Sequence, residues 1–360
     1  MAESLKTFYF TPIASPFQLD FIASCNEKLS GSEIIPIFIN PLPIHRQHWG
    51  ENNLGIDLYL LKGSRITRTW RLLETENPHS CFLSSYTNLE NWVARFWCLT
   101  RSKSFFIGPV EPMNTHTSGI VRHAVRLHLF KKFAKRASGL AAMGNNALRA
   151  YRKVFSGKMI NISYTFDHKD LLNTAPFALE KPITFLYSGR LSSFRNPLLV
   201  IKAFSQVREI HHKTPMNLII SGRGDLYEDC ISLIKAKDLE NEVIWINDFK
   251  DWKDIHSIYS KAHVLLALQH YSTWGIIIQE AMAAGMGIIA SRTIEAADNL
   301  IIDGYNGYLI SVDEQEAVEA MSRYIMNKHL ITDHGTRSRD IVINYDVESQ
   351  SKKFVNHFFK

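Results

Sequence analysis

The sequence predicts an α/β protein of two domains, each a parallel sheet covered by helices. Three observations predict it. The chain has 360 residues, too many for one ordinary core and enough for two of roughly 150 to 200 residues. From residue 183 onward, short apolar runs of strand length alternate with helical patterns, and that β-α-β-α rhythm builds a parallel sheet with helices on both faces. Several of the apolar runs end in glycine, as in "LYSGRL" and "IISGRGD", which suits turns at the carboxyl ends of strands.

In the first half, "TFYFTP" is a strand ending at Pro12. "PFQLDFIASCNEKLSG" is an amphipathic helix with Phe17, Phe21 and Leu29 near one face and Gly31 as a C-cap. "EIIPIFI" and "IDLYLLKG" read as strands. "SCFLSS" and "SFFIGP" are short apolar runs, each followed by turn residues or a helix start. "GIVRHAVRLHLFKKFAKRASG" is a long basic helix, "SGLAAMGN" a strand running into a helix at Asn145, and "KMINISYTFD" closes the half. Residues 167–182, "DHKDLLNTAPFALEKP", lack periodicity and hold two prolines, as a linker does.

The second half is more regular. Strands are expected at "ITFLYSGRL", "MNLIISGRGD", "NEVIWIND", "HVLLAL" and "MGIIAS". Helices are expected at "NPLLVIKAFSQVREIH", "YEDCISLIKAKDL", "DWKDIHSIYSKA", "WGIIIQEAMAAG" and "SVDEQEAVEAMSRYIMN", the last capped by Ser311.

Composition excludes several classes. With 46% hydrophobic and 21% charged residues the chain is globular. No apolar run reaches the ~20 residues of a membrane-spanning helix, and the amino terminus lacks a leader pattern. The four cysteines have no CxxC or CxxH spacing, which fits a reducing cytosol and no zinc site. The fifteen histidines show no HExxH spacing and no Asp-x-Asp occurs, so no metal is expected. The net charge of +6 permits an anionic partner without choosing one.

In a doubly wound sheet the ligand lies outside the carboxyl ends of the strands. Those ends offer Gly189, Arg190 and Arg195 after one strand, and Gly222, Arg223 and Gly224 after the next. A helix start follows a third, at Thr273, Trp274 and Gly275. Arginine forks and free helical N–H groups together make an anion site that suits a diphosphate. Glu280 is the one carboxylate in "HYSTWGIIIQEAMAAGMGIIAS". Its two oxygens match the paired hydroxyls of a ribose, and the small residues after it let the helix pack closely on the sheet.

"YSGRLSSFRNPLLVIKAF", "IISGRGD", "WGIIIQEAMAAGMGIIAS" and "NLIIDGYNGYLI" resemble, in order and spacing, the C-terminal domain of glycosyltransferase family 4. The resemblance covers residues 183 to 310 strongly and the first half by layout. It implies the GT-B fold, with two Rossmann-like domains whose parallel sheets face across a cleft. The first domain would span residues 1–170 and bind the acceptor. The second, residues 171–340, would bind the nucleotide sugar, and a C-terminal helix in residues 341–360 would cross back to the first. The family carries E-x(7)-E, with the second acid on the ribose and the first near the donor sugar. Glu280 matches the second, and Ser272 stands at the first. Arg195 stands where lysine is usual, and Gly287 where proline is usual. Family members often place a histidine after a mid-domain strand, here "SFFIGPVEPMNTH", which makes Glu111 and His116 catalytic candidates beside Arg190 and Arg195. Ser15 and Gln18, after the first strand, are further wall candidates.

The implied function is retaining transfer of a hexose from a nucleotide diphosphate sugar to a hydroxyl acceptor on a saccharide or lipid-linked carrier, without a cofactor or metal. The setting would be cytoplasmic, in polysaccharide synthesis. A GT-B epimerase or hydrolase, and a non-catalytic nucleotide- or glycan-binding protein, are the alternatives. On the basic helix, Val121, Val125, Leu129 and Phe133 repeat at helical spacing, and residues 120–136 carry Arg122, Arg126, Lys131, Lys132, Lys135 and Arg136. A solvated face is expected, with contact to an anionic membrane as the second reading. No nucleic-acid motif accompanies the charge.

Overall fold

The computed structural model describes residues 4–43, 55–112, 120–174, 179, 182–247 and 256–360. They fall into two compact units, Met1–Phe166 with Val347–Lys360, and Asp167–Asp346.

In the first unit β1 (Leu5–Thr11), β2 (Ser32–Phe38), β3 (Ile56–Asp57), β4 (Ser80–Leu83), β5 (Ser104–Val110), β6 (Gly139–Ala142) and β7 (Lys158–Asn161) pair in the order β3-β2-β1-β4-β5-β6-β7. The described pairings are parallel. The crossovers include α1 (Pro16–Asn26), α2 (Arg65–Glu76), α3 (Leu89–Thr100), α4 (Ile120–Ala134) and α5 (Gly144–Arg152). The sheet is apolar on both faces, as a parallel sheet must be: Phe8, Phe10, Cys81, Leu83 and Ile107 lie in one core cluster, Tyr9, Phe82 and Ala141 in another.

The second cluster is completed by α14 (Val347–Phe358), the last helix of the chain. Phe354, Phe358 and Phe359 ring Phe82 at centroid distances of 4.9, 5.1 and 6.2 Å. Ser24 and Ser351 hydrogen-bond at 2.9 Å, and Lys28 pairs with Glu348 at 2.8 Å. Aromatic pairs of this kind contribute about 0.5–1.5 kcal/mol each beyond their buried area.

Several first-half expectations are corrected. "IDLYLLKG" is a strand only at Ile56–Asp57, because the chain turns at once into a 3-10 segment, Leu58–Leu60. Helix α1 stops at Asn26, and Gly31 is not its C-cap: it turns the chain into β2 at φ +73°. Of the stripe expected on α4, Phe133 is buried but Val125 and Leu129 are exposed, and Phe130 and Ala134 are buried beside Phe133. Helix α2, absent from the sequence reading, is fixed by ionic contact. Arg65 donates from Nε and Nη2 to the fully buried Glu90 of α3 at 2.7 and 2.6 Å, the bidentate geometry that favours arginine.

The second unit opens with α6 (Lys169–Leu172), a short helix inside the segment expected to be a linker. Strands β8 (Ile183–Ser188), β9 (Met216–Ser221), β10 (Val243–Trp245), β11 (Val264–Ala267), β12 (Gly287–Ser291) and β13 (Tyr308–Ile310) pair in parallel in the order β10-β9-β8-β11-β12-β13. The helices are α7 (Pro197–Ile210), α8 (Tyr227–Ala236), α9 (His256–Tyr259), α10 (Ile277–Ala284), α11 (Glu295–Leu300), α12 (Glu314–Met326) and α13 (His329–Val342). Proline at the first turn of α7 sets its start. Helix α12 is capped by Asp313, not Ser311: Asp313 accepts from the Glu316 N–H at 2.9 Å, and Glu316 accepts from the Ser311 N–H at 2.7 Å. Those are reciprocal capping contacts. One core cluster joins Ile183, Phe185, Val200, Phe204, Leu218, Ile220, Val264, Leu266, Met321 and Tyr324.

The winding direction reverses between β8 and β11, so their carboxyl ends open without a crossover above them. There the loops after β8 and β9 lie backbone against backbone. Gly189 N–H donates to Ser221 O at 2.9 Å, and Leu191 N–H to Arg223 O at 3.0 Å. A Cβ on Gly222 would sit 1.8 Å from Gly189 O, and one on Gly224 would sit 2.3 Å from Leu191 O. Glycine is required by this contact and not only by the turn.

Gly222→Ala should therefore lower stability by at least about 2 kcal/mol, since both backbone conformation and loop contact oppose a side chain. The urea midpoint of the second unit reads this. An unchanged midpoint would show that the two loops part freely.

Candidate nucleotide site

Four chain segments meet at the switch point. The first follows β8. Gly189 has nothing within 4 Å of the place a Cβ would occupy, so its face is open. Arg190 is exposed and pairs with Asp225 at 3.3 Å. Arg195 is half-buried, and its guanidinium donates to the Gln269 side chain. Burial lowers the Arg195 pKa, opposed by the nearby Tyr187 phenol. Arg223, expected to join them, is exposed after β9.

The second segment follows β11. Gln269 is buried, and its carbonyl accepts from Ser291 Oγ at 2.6 Å and Thr293 Oγ1 at 2.5 Å. His270 N–H donates to Phe194 O at 2.9 Å. Loops from either side of the switch point are thus tied together, and Arg195 is fixed by both.

The third segment, Ser272 to Gly275, pairs with the loop after β12. Ser272 N–H donates to Thr293 O at 3.3 Å, Glu295 N–H to Ser272 O at 3.3 Å, and Ala296 N–H to Trp274 O at 2.9 Å. Trp274 is buried, and its indole N–H donates to Gln279 at 3.0 Å. Its side chain braces the turn, whereas Thr273 is partly exposed. Gly275 holds φ +97° against Ile294.

The fourth segment is α10. It begins at Ile277, with Ile276 as N-cap, later than the sequence pattern suggests, so Glu280 belongs to its first turn. Glu280 is 5% exposed. One of its carboxylate oxygens accepts from the phenol of Tyr259 at the end of α9. Ser188, last in β8, lies near enough to the same phenol to lower its pKa, against the larger upward effects of burial and Glu280. The far end of α10 is fixed as well. Gly285 adopts the left-handed C-cap conformation, and Arg339 donates to the carbonyls of Ala283 and Ala284 at 3.0 and 2.9 Å. Ala281, Ala283 and Ala284 are buried, which sets the helix close to its neighbours.

His168 is buried near enough to Glu280, Asp346 and Asp167 to feel their charge, yet desolvation dominates and lowers its pKa to about 4. The imidazole is neutral at pH 7 and does not cancel the charge of Glu280.

In the first unit, Glu111 is exposed and its carbonyl accepts from Tyr151 at 3.0 Å. His116 lies outside the described residues. Ser15 shares a hydrogen bond with Tyr164 at 2.8 Å, and Gln18 accepts from Thr11 at 2.6 Å. Gln18 lines a small pocket with Phe17, Pro109, Met143, Ser163 and Tyr164. Arg190, Arg195, Gly189, Ser272 and Glu280 thus belong to one unit, and Glu111 belongs to the other. Sequence reading missed Tyr259, Ser188 and Gln269. Only the position of Ser188 beside Gly189 could have drawn attention to one of them. Among the described residues, no group of three His, Cys, Asp or Glu side chains could hold a metal ion, and no helix is long and apolar enough to cross a membrane.

Two doubly wound parallel sheets, with the second reversing at β8 and β11, define a GT-B protein, and solved structures share that fold. Sucrose-phosphate synthase from Thermosynechococcus elongatus superposes with a TM-score of 0.74 at 16% identity, covering 98% of both chains. Anabaena Alr3699/HepE in complex with UDP superposes with a TM-score of 0.76 at 13% identity, again over 98% of both. Residues 172–340 match the family model of glycosyl transferases group 1. Among curated relatives, a poly(glycerol-phosphate) alpha-glucosyltransferase of Bacillus subtilis is 29% identical over 42% of this chain and 21% of its own length. From Campylobacter jejuni, a GalNAc-alpha-(1->4)-GalNAc-alpha-(1->3)-diNAcBac-PP-undecaprenol alpha-1,4-N-acetyl-D-galactosaminyltransferase is 24% identical over 49% of this chain and 48% of its own. The chain spans half or less of the length of these two relatives.

The His168 environment gives a pH dependence. Its folded pKa lies below the ordinary 6.5, so between pH 6.5 and about 4 the unfolded chain binds the extra proton. Stability of the second unit should therefore fall as pH drops through that window, by up to about 3 kcal/mol. Urea midpoints at pH 7.5 and 5.0 measure it. His168→Gln should flatten the difference, and an equal drop in the variant would assign the acid sensitivity to other groups.

Proposed function

We propose that the protein is a retaining glycosyltransferase that moves a hexose from a nucleotide diphosphate sugar to a hydroxyl acceptor of a saccharide or lipid-linked carrier. The observation that carries this reading is Glu280, a carboxylate held by Tyr259 in the first turn of α10. A ribose placed there offers two hydroxyls to its oxygens. The diphosphate then falls toward the open face of Gly189 and the start of α10, with Arg195 fixed nearby on Gln269. As the glycosidic bond to the diphosphate breaks, charge grows on the leaving oxygens, and a guanidinium already fixed in place stabilises it without reorganisation. Arg190, paired with Asp225 at the surface, is the outer cation of this reading. Ser272 supplies a hydroxyl toward the donor sugar where the family carries an acid. Acceptor recognition is assigned to the first unit, which would also supply one wall of the donor site, with Glu111 as the catalytic candidate and Ser15 and Gln18 as wall candidates. The UDP complex of the solved neighbour and the alpha linkages in the relatives' names support this reading.

A thermal-shift panel of UDP, GDP and ADP should find one diphosphate that raises the melting temperature, because a ligand bound only to the folded state stabilises it. Glu280→Gln should then weaken that nucleotide at least about tenfold, since hydrogen bonds to a charged group contribute ~1.5–3 kcal/mol. Wild-type affinity in the variant, measured by calorimetry, would remove the ribose assignment.

In this reading Arg195 and the start of α10 neutralise the diphosphate, so catalysis should need no divalent cation. Initial rates with the selected donor sugar should persist in excess EDTA and change little on addition of Mg²⁺. Loss of activity in EDTA, restored by Mg²⁺ or Mn²⁺, would move the diphosphate away from Arg195, because such ions bind phosphate through carboxylate-rich sites.

A further inference from the structure

We infer that Tyr259 is a positioning residue for Glu280, fixing its carboxylate for the ribose; this rests on the ribose reading above. Tyr259 closes the short α9, 21 positions before Glu280 in the chain. It is 2% exposed. A phenol in such a place needs a partner, because an unmade hydrogen bond there loses its solvation without return. The hydroxyl donates to Oε2 of Glu280.

The consequence for Glu280 follows from the chemistry of a carboxylate. A glutamate has three side-chain torsions and, left alone in the first turn of a helix, would sample several of them. A single strong bond from an immobile phenol selects one. It occupies lone pairs on Oε2 and orients the plane of the carboxylate while leaving its charge intact, since a phenol donates a proton without transferring it. Burial and the adjacent carboxylate both push the Tyr259 pKa upward, so the donor stays protonated at any working pH. His168, close enough to feel the charge of Glu280, is neutral at pH 7. The carboxylate is therefore oriented and partly desolvated, the state in which acceptance from a vicinal diol discriminates most strongly against a sugar lacking one hydroxyl.

The readout is the affinity ratio between a ribonucleoside diphosphate and its 2′-deoxy counterpart, which a merely structural phenol would not change. With UDP and dUDP, or the corresponding pair for GDP or ADP if that base binds better, wild-type protein should prefer the ribose form. Tyr259→Phe should shrink that preference by roughly two- to tenfold, what one net hydrogen bond contributes. Glu280→Gln should nearly abolish it, and Tyr259→Phe added to Glu280→Gln should shrink it no further. Tyr324→Phe, which removes another buried phenol of this unit bonded to His334, is the control and should keep the wild-type ratio. A wild-type ratio in Tyr259→Phe together with a lost ratio in Glu280→Gln would overturn the positioning role and leave the ribose assignment standing. A wild-type ratio in Glu280→Gln, or no binding of any of the three diphosphates, would overturn the ribose assignment and the role of Tyr259 with it. Should Tyr259→Phe melt below the working temperature, the ratio is read for wild type and variant alike at a lower temperature where both are folded, and the same shrinkage is expected.

Discussion

Everything at the candidate site depends on one topological constraint, the reversal of winding between β8 and β11. A right-handed crossover places its helix over one face of the sheet, and reversing the direction of travel leaves a gap over the adjoining strand ends. The gap would be a defect if nothing lined it, because loops there carry unpaired backbone groups. The chain resolves this by bonding the loops to one another. The β8 and β9 loops join through glycine backbones, the β8 and β11 loops through Arg195 with Gln269 and His270 with Phe194, and the turn at Ser272 through the loop after β12. Among these loop glycines, Gly189 has nothing within 4 Å of the place a Cβ would occupy.

That arrangement changes what individual residues do. Glycines that read in the sequence as room for a phosphate divide into two kinds. Gly222 and Gly224 are filled by neighbouring backbone, and only Gly189 faces unoccupied space. Trp274, which read as part of the binding turn, braces it through Gln279. Rigidity in this region is therefore a property of polar contacts between loops more than of the apolar core beneath them, and preorganised dipoles are what catalysis by charge stabilisation needs.

The second unit was legible because its strands are short, apolar and closed by glycine, signals that survive without tertiary context. Arg195 and Glu280 were legible for the same reason, since each lies at a fixed offset from such an end. The first unit was less so. Helix α2, "RITRTWRLLETE", buries only Thr69, Leu72 and Leu73, too few to reveal a period, and it is held by an arginine pair to Glu90 25 positions away. "IDLYLLKG" has the composition of a strand, yet two of its residues pair, because propensity gives way to where the sheet edge ends. On α4 the expected stripe held at Phe133 and failed at Val125 and Leu129, because the inward face runs through Phe130, Phe133 and Ala134 at three- and four-residue steps and not at a strict four. Tyr259 could not be found at all, since its bond to Glu280 spans 21 positions and a tyrosine is not unusual there.

The position of α14 has a consequence for how the molecule is made. The first unit takes its last core residues, Phe354, Val355 and the aromatic ring around Phe82, from the end of the chain. Synthesis proceeds from the amino terminus at about 5–20 residues per second, so the whole of Asp167–Asp346 is made before that core can be closed. At the lower rate the interval is more than half a minute, much longer than a helix needs to form or a chain to collapse. Through it, Phe82 and Phe106 present an uncovered aromatic surface. The order of domain completion is therefore the reverse of the order in which the units begin: Asp167–Asp346 can finish first, and the amino-terminal unit is sealed only once Val347–Phe358 has been made.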